Sequence, residues 1–244
     1  MDNEVVAWKN RGQMVEIDGH QIFCINEGKG PNLLILHGYP FNTFEWNGVW
    51  ADLIKKYNVY TFDYLGMGFS DKPKNHQYSF HEHCEIVDSL TAHWGITQVH
   101  ILAHDLGVSV AQELIARDLK AKNSFEIQSL VYMNGGLFMD SYKPRMIQRL
   151  LSQSPKPIGK LMSQLLTKKK LEQSIRSVFG PQTQPSDLLV DQFWDILNHK
   201  NGKSIAYLIG RLVFDKLNHQ KKWITAMQKT KVPMCFINGP FDPN

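Results

Sequence analysis

The stretch Val99-His100-Ile101-Leu102-Ala103-His104-Asp105-Leu106-Gly107-Val108 decides the fold. Residues 99–103 form a short apolar run of the kind that makes a buried strand, and residues 108–119 carry apolar side chains at helical spacing. Little separates the two, so a strand runs directly into a helix. The small Ala103 and Gly107 let the chain turn sharply, which leaves the central side chain, Asp105, standing above the sheet edge. Aspartate also fills a helix N-cap well, so a purely structural Asp105 is the competing reading.

Working outward, the same alternation continues. Asn32–Leu36 is an unbroken apolar run, as expected of a strand buried on both faces. Before it, Gln13–Ile17 and residues 21–25 flank Asp18-Gly19, a hairpin turn signal. After it, residues 44–57 place Trp46, Trp50, Leu53 and Ile54 at helical spacing, with Asn42 as cap and Glu45 reaching back to it. Asn58–Phe62 reads as a strand. Ser79 and Glu82 form a capping box for a helix carrying Val87, Leu90 and Trp94, which Gly95 stops. Residues 127–133 and 232–237 read as further strands. This pattern predicts an α/β architecture: a mostly parallel sheet flanked by helices.

Residues 137–229 differ. Met146, Leu150, Leu151, Leu161, Leu165, Phe193, Ile196, Leu197, Leu208 and Leu212 keep helical spacing there, and Pro155-Lys156-Pro157 and Gly180-Pro181 break the helices. The expectation is a helical cap inserted into a core made of residues 1–136 and 230–244.

Composition narrows the classes of function. The chain has 244 residues, 43% hydrophobic and 20% charged, which is ordinary for a globular protein. The net charge of +4 is mild, and the densest basic run, Lys168-Lys169-Lys170, reads as a solvated helix face rather than a nucleic-acid site. Cys24, Cys84 and Cys235 are sparse and sit in apolar segments, the pattern of reduced, buried thiols. The acidic N-terminus lacks the apolar stretch of a signal peptide, and no run is long enough to span a membrane, so a cytoplasmic protein is expected.

Other motifs cluster at strand ends. His37-Gly38-Tyr39-Pro40 follows the buried strand directly. Gly66 and Gly68 resemble part of a dinucleotide loop, but position 71 is Asp where a third glycine belongs, so no cofactor is expected. His81, His83 and Cys84 lack the spacing of a zinc motif, and no metal is expected. Asn238-Gly239-Pro240-Phe241-Asp242-Pro243 follows the last strand.

On these motifs the chain resembles the α/β hydrolases of the epoxide hydrolase and haloalkane dehalogenase group, in which aspartate replaces serine at the nucleophile elbow. Within that group it is similar to the mesoderm-specific transcript proteins. The resemblance runs from about Phe23 to the last residue and includes Val178-Phe179-Gly180-Pro181, Pro185-Ser186 and Lys222-Trp223. It implies an α/β-hydrolase fold and a small apolar substrate held under the cap. Asp105 is then the nucleophile and Asp242 the acid of the triad, while the amides of Tyr39 and Leu106 form the oxyanion hole within the His37-Gly38-Tyr39-Pro40 and elbow Gly107 motifs. The carboxylate attacks carbon to form an alkyl-enzyme ester, which water then hydrolyses.

Leu106 and Tyr39 stand where dehalogenases commonly carry tryptophan and asparagine as halide donors, so an epoxide is the expected electrophile. Tyr207 is the expected proton donor to the ring oxygen, with Tyr142 a poorer candidate. In this fold the histidine comes after the acid. Only Pro243 and Asn244 follow Asp242, so the histidine, with the strand and helix that carry it, is expected beyond Asn244 and the chain reads as a fragment. The alternatives are a haloalkane or haloacid dehalogenase, and a non-catalytic binding or interaction protein on a hydrolase scaffold.

Overall fold

A computed structural model describes residues 1–138 and 155–239. The expected hairpin is present as β1 (Gln13–Ile17) and β2 (His20–Gly28), turning at Asp18 and Gly19. Both turn residues have positive φ, 49° and 77°, which matches the twist of the strands they join. The remaining strands are β3 (Asn32–Leu36), β4 (Asn58–Phe62), β5 (Gln98–His104), β6 (Glu126–Met133) and β7 (Met234–Ile237). They form one sheet in the order β1-β2-β4-β3-β5-β6-β7. The β1–β2 and β2–β4 pairs are antiparallel, and the rest are parallel.

This order creates the site. From β3 the chain crosses to β4 on one side and then to β5 on the other. The loops leaving β3 and β5 therefore part company at the carboxyl edge of the sheet, the kind of crevice where open α/β sheets bind ligands.

Helices cover both faces. They are α1 (Asn3–Arg11), α2 (Asn47–Leu53), α3 (Phe80–His93), α4 (Leu106–Asp118), α5 (Lys156–Gln164), α6 (Lys168–Arg176), α7 (Asp187–Asn198), α8 (Ala206–Gly210) and α9 (Leu212–Lys229). The unbroken apolar run of β3 serves two cores, because alternate side chains point to opposite faces. Leu34 and Leu36 join Val87, Leu114 and Trp223 from α3, α4 and α9. Leu33 and Ile35 join Trp8, Trp50, Phe193 and Ile196 from α1, α2 and α7.

Several elements depart from the sequence reading. Helix α1 was not foreseen: Asp2 caps it by accepting from Glu4 N–H at 2.9 Å, and Trp8 is buried edge-on against Trp50 and Phe44. The helix expected over residues 44–57 is a 3₁₀ turn, Thr43–Trp46, followed by the short α2. Asn42 caps that turn at Phe44 N–H, but Glu45 does not serve it, because its carboxylate is drawn to Gly38 and His104. Cys24 and Cys84 are buried, whereas Cys235 is exposed on β7, the outer strand of the described sheet.

Within the expected cap segment, α9 lies along the core helix α4. Trp223 Nε1 and Lys222 Nζ both donate to the Glu113 carboxylate, at 2.5 and 2.7 Å. The lysine run 168–170 lies on exposed positions of α6, where Lys168 pairs with Asp191. Among the described residues, no helix is long and apolar enough to cross a membrane.

Candidate active site

The elbow forms as the sequence predicts, and at some strain. β5 ends at His104 and α4 begins at Leu106, with Asp105 between them at φ 47° and ψ −107°. Such a conformation costs an L residue about 1–3 kcal/mol and persists only where its surroundings hold it. Three backbone hydrogen bonds do so. Asp105 N–H donates to Met133 O at 3.2 Å, Val108 N–H to Asp105 O at 3.1 Å, and Gly107 N–H to His37 O at 3.1 Å. Gly107 is required by close approach: a Cβ there would lie 2.5 Å from the Leu36 carbonyl oxygen. A Cβ on Gly38 would lie 2.8 Å from the Asp105 Cβ.

The carboxylate of Asp105 is held asymmetrically. Its Oδ1 accepts from Leu106 N–H at 2.6 Å and from Tyr39 N–H at 2.9 Å. These are the two amides expected to form an anion-binding hole, and the aspartate itself reaches into it. Among the described residues no hydrogen bond reaches Oδ2. One oxygen is thus anchored by two amides, and the other has no described hydrogen bond.

The residues around it build the hole. His37 is buried, and its Nε2 accepts from Tyr64 N–H at 3.1 Å, so Nδ1 carries the proton and donates to Gly38 O at 2.8 Å. Burial pushes its pKa down to about 3, which keeps the ring neutral. Tyr39 precedes Pro40 through a cis peptide. Its hydroxyl donates to Ala206 O of α8 at 3.0 Å, which ties the anion-hole loop to the helical segment. Burial, with the charge of Asp105, raises the phenol pKa, so the hydroxyl stays a neutral donor.

Three contributors escaped the sequence reading. Glu45 accepts from Gly38 N–H at 3.2 Å and from His104 Nδ1 at 2.9 Å, so His104 clamps the β3 loop. Asp63, buried, accepts from Thr43 N–H at 2.8 Å and Phe69 N–H at 2.6 Å, joining two loops at the sheet edge. Lys216 of α9 is only 9% exposed, and its ammonium donates to Gly136 O at 3.1 Å. Each depends on contacts distant in sequence, and no local motif marks them.

Tyr207 lies on α8, where its backbone N–H donates to Ser163 Oγ at 3.0 Å and its ring faces the Arg211 guanidinium at 6.0 Å. No described contact joins it to Asp105. Asp242 and Tyr142 lie outside the described residues. A narrow crevice beside the hole is lined by Tyr39, Met67, Lys72, Ala206 and Ile209, with about 10 Å³ of space, room for about one water. No group of described His, Cys, Asp or Glu residues is placed to hold a metal.

Comparison with known proteins agrees with this geometry. A family described as the alpha/beta hydrolase fold matches residues 31–157, which span the β3 loop, the elbow and β6. The mesoderm-specific transcript protein of Mus musculus is 31% identical over 249 residues, covering 97% of this chain and 73% of that protein. Two solved structures share the fold. Epoxide hydrolase CorEH superposes with a TM-score of 0.72 at 19% identity, over 94% of this chain and 82% of its own. Haloalkane dehalogenase DbeA from Bradyrhizobium elkani gives 0.75 at 16% identity, over 93% and 80%. A strand-to-helix elbow facing two backbone amides, set in a sheet of this order and matched by the family over its central strands, makes the chain a member of the alpha/beta hydrolase family.

Proposed function

We propose that Asp105 is the nucleophile of a hydrolase that acts on a small apolar electrophile, an epoxide, held beneath the expected cap, residues 137–229. The observation that carries this reading is the split carboxylate: Oδ1 bound by two amides, Oδ2 without a hydrogen bond among the described residues. A carboxylate attacks carbon directly, with no base needed to remove a proton first. The N-terminus of α4 favours that negative charge.

In the first half-reaction Oδ2 bonds to a ring carbon, the ring C–O bond breaks, and the ring oxygen takes a proton. The product is an ester whose carbonyl oxygen is Oδ1, already lodged between the Tyr39 and Leu106 amides. In the second half-reaction water attacks the ester carbonyl carbon, and the charge that builds on Oδ1 falls on the same two donors. One such donor is worth roughly 10²–10³ in rate. Asp242, which follows β7 in the sequence, is assigned the acid that orients the water-activating histidine. Neither Tyr39 nor Leu106 offers a side-chain N–H to a departing halide, which favours the epoxide.

The test is to incubate the protein with a small epoxide in H₂¹⁸O and analyse the peptide containing residue 105 by mass spectrometry. Either an alkyl ester on Asp105 or ¹⁸O in its carboxylate is expected, and Asp105→Asn should show neither. Diol formation undiminished in Asp105→Asn, or modification confined to other residues, would overturn the assignment. Halide release from alkyl halides without any diol from epoxides would overturn the substrate class.

A further inference from the structure

We propose that Lys216 is the acid that protonates the oxygen expelled when Asp105 is alkylated, so that the site is built for electrophiles that leave as an oxygen anion. This rests on Asp105 as the nucleophile and names its partner.

The placement follows from how two helices run together. Helix α9 is fastened to α4 where Trp223 Nε1 donates to Glu113. Seven residues back from Glu113 on α4 is Leu106, the first residue of the elbow helix, and seven residues back from Trp223 on α9 is Lys216. At 1.5 Å per residue both steps cover roughly 10.5 Å, so the helices, running alongside each other, bring Lys216 level with the elbow. The segment after β6 closes the arrangement. A Cβ on Gly135 would lie 2.4 Å from Val108 in the first turn of α4, so the chain passes tightly over the start of that helix. The next residue, Gly136, offers the carbonyl that receives the Lys216 ammonium at 3.1 Å.

The charge is otherwise unusual. A buried ammonium is costly unless something nearby compensates it. Among the described residues the hydrogen bond to Gly136 is the one it makes, and it forms no ion pair. Burial lowers its pKa from the ordinary lysine value, while the charge of Asp105 opposes that shift. Among the described residues that single hydrogen bond leaves two of the three N–H groups of the ammonium available to a third party.

The step balances. Asp105 Oδ2 forms a bond to carbon as the ring C–O bond breaks. The ring oxygen takes a proton from Lys216 Nζ, leaving a hydroxyl and a neutral amine. Ester hydrolysis by water then restores the carboxylate and releases the proton that recharges the amine.

The experiment compares two reagents on one carbon skeleton, a 1,2-epoxide and the corresponding primary iodoalkane, whose iodide leaves without a proton. The first-order rate of Asp105 modification is followed by quenched-flow mass spectrometry in wild type, Lys216→Met, Lys216→Gln and Tyr207→Phe, each shown to unfold cooperatively in urea. Both Lys216 variants should slow the epoxide reaction by ~10²–10⁴-fold, the usual worth of a general acid, and the iodoalkane reaction by less than ~10-fold. Equal losses with both reagents would make Lys216 a positioning residue and overturn the proposal. So would selective loss of the epoxide reaction in Tyr207→Phe alone, or a wild type labelled by iodoalkane but never by epoxide. A wild type in which neither reagent modifies Asp105 would sink the nucleophile assignment, and this one with it.

Discussion

Replacing Gly107 by alanine sets local propensity against tertiary packing with opposite signs. Inside a helix, Gly→Ala is worth about 1 kcal/mol of stabilisation. At Gly107 the new Cβ would lie 2.5 Å from Leu36 O, 2.8 Å from Leu36 C and 2.9 Å from Leu36 Cβ. The first two are backbone atoms of the central strand β3 and cannot rotate away. Reaching ordinary contact at 3.4 Å requires the first turn of α4 to retreat by roughly 0.9 Å, from 3.4 minus 2.5. Overpacking of this kind costs about 1–3 kcal/mol, enough to cancel the propensity gain of about 1 kcal/mol and leave a net loss of up to about 2 kcal/mol. The same retreat pulls Leu106 N–H from Asp105 Oδ1, now at 2.6 Å, and a displacement near 1 Å costs about 10²-fold in rate. Gly48 in α2 is the control, since a Cβ there meets nothing within 4 Å, and Gly48→Ala should stabilise. Urea unfolding followed by tryptophan fluorescence, with Asp105 alkylation rates on the same samples, measures both effects. A Gly107→Ala protein as stable as Gly48→Ala and alkylated at the wild-type rate would refute the close-approach argument.

Burial holds His83 neutral, with its pKa down at about 3, and neither ring nitrogen has a described hydrogen-bond partner. The unfolded chain binds a proton there near pH 6.5 and the folded one does not, so stability falls as pH drops from 6.5 towards 3. His83→Phe should therefore gain on wild type by about 1.4 kcal/mol per pH unit across that window; a constant difference in urea midpoints from pH 7 to 4.5 would contradict this. Glu113→Ala removes the acceptor shared by Lys222 and the buried Trp223 indole, and should cost about 2–4 kcal/mol by equilibrium unfolding. Tyr39→Phe deletes the bond to Ala206 O and should cost about 1 kcal/mol, with faster proteolysis within residues 155–210 than in wild type.

What could be read along the chain was whatever a few neighbouring residues decide among themselves. β3, β4 and the turn at Asp18-Gly19 emerge at their observed places, because side-chain alternation and positive-φ turn residues act within a handful of positions. The elbow was legible for the same reason: a strand, two small residues and a helix are contiguous. The Tyr39 and Leu106 amides converge on one oxygen as their motifs imply, although it is the Asp105 oxygen itself that occupies them.

Tertiary structure alone decided which partners a side chain prefers when several are in reach. Glu45 has the spacing of a helix capper, yet its carboxylate is taken by Gly38 N–H and by His104, 59 residues away, which the fold of β3 beside β5 brings within reach. The exposure of Cys235 depends on what lies beyond β7 in the described sheet, not on its apolar neighbours Phe236 and Ile237. Lys216 reads as one more charge on a helix until Glu113, 109 residues from Lys222, fixes how α9 lies on α4. Charge and burial are properties of a place in space, and for these residues the place is set by chain segments that the local sequence does not contain.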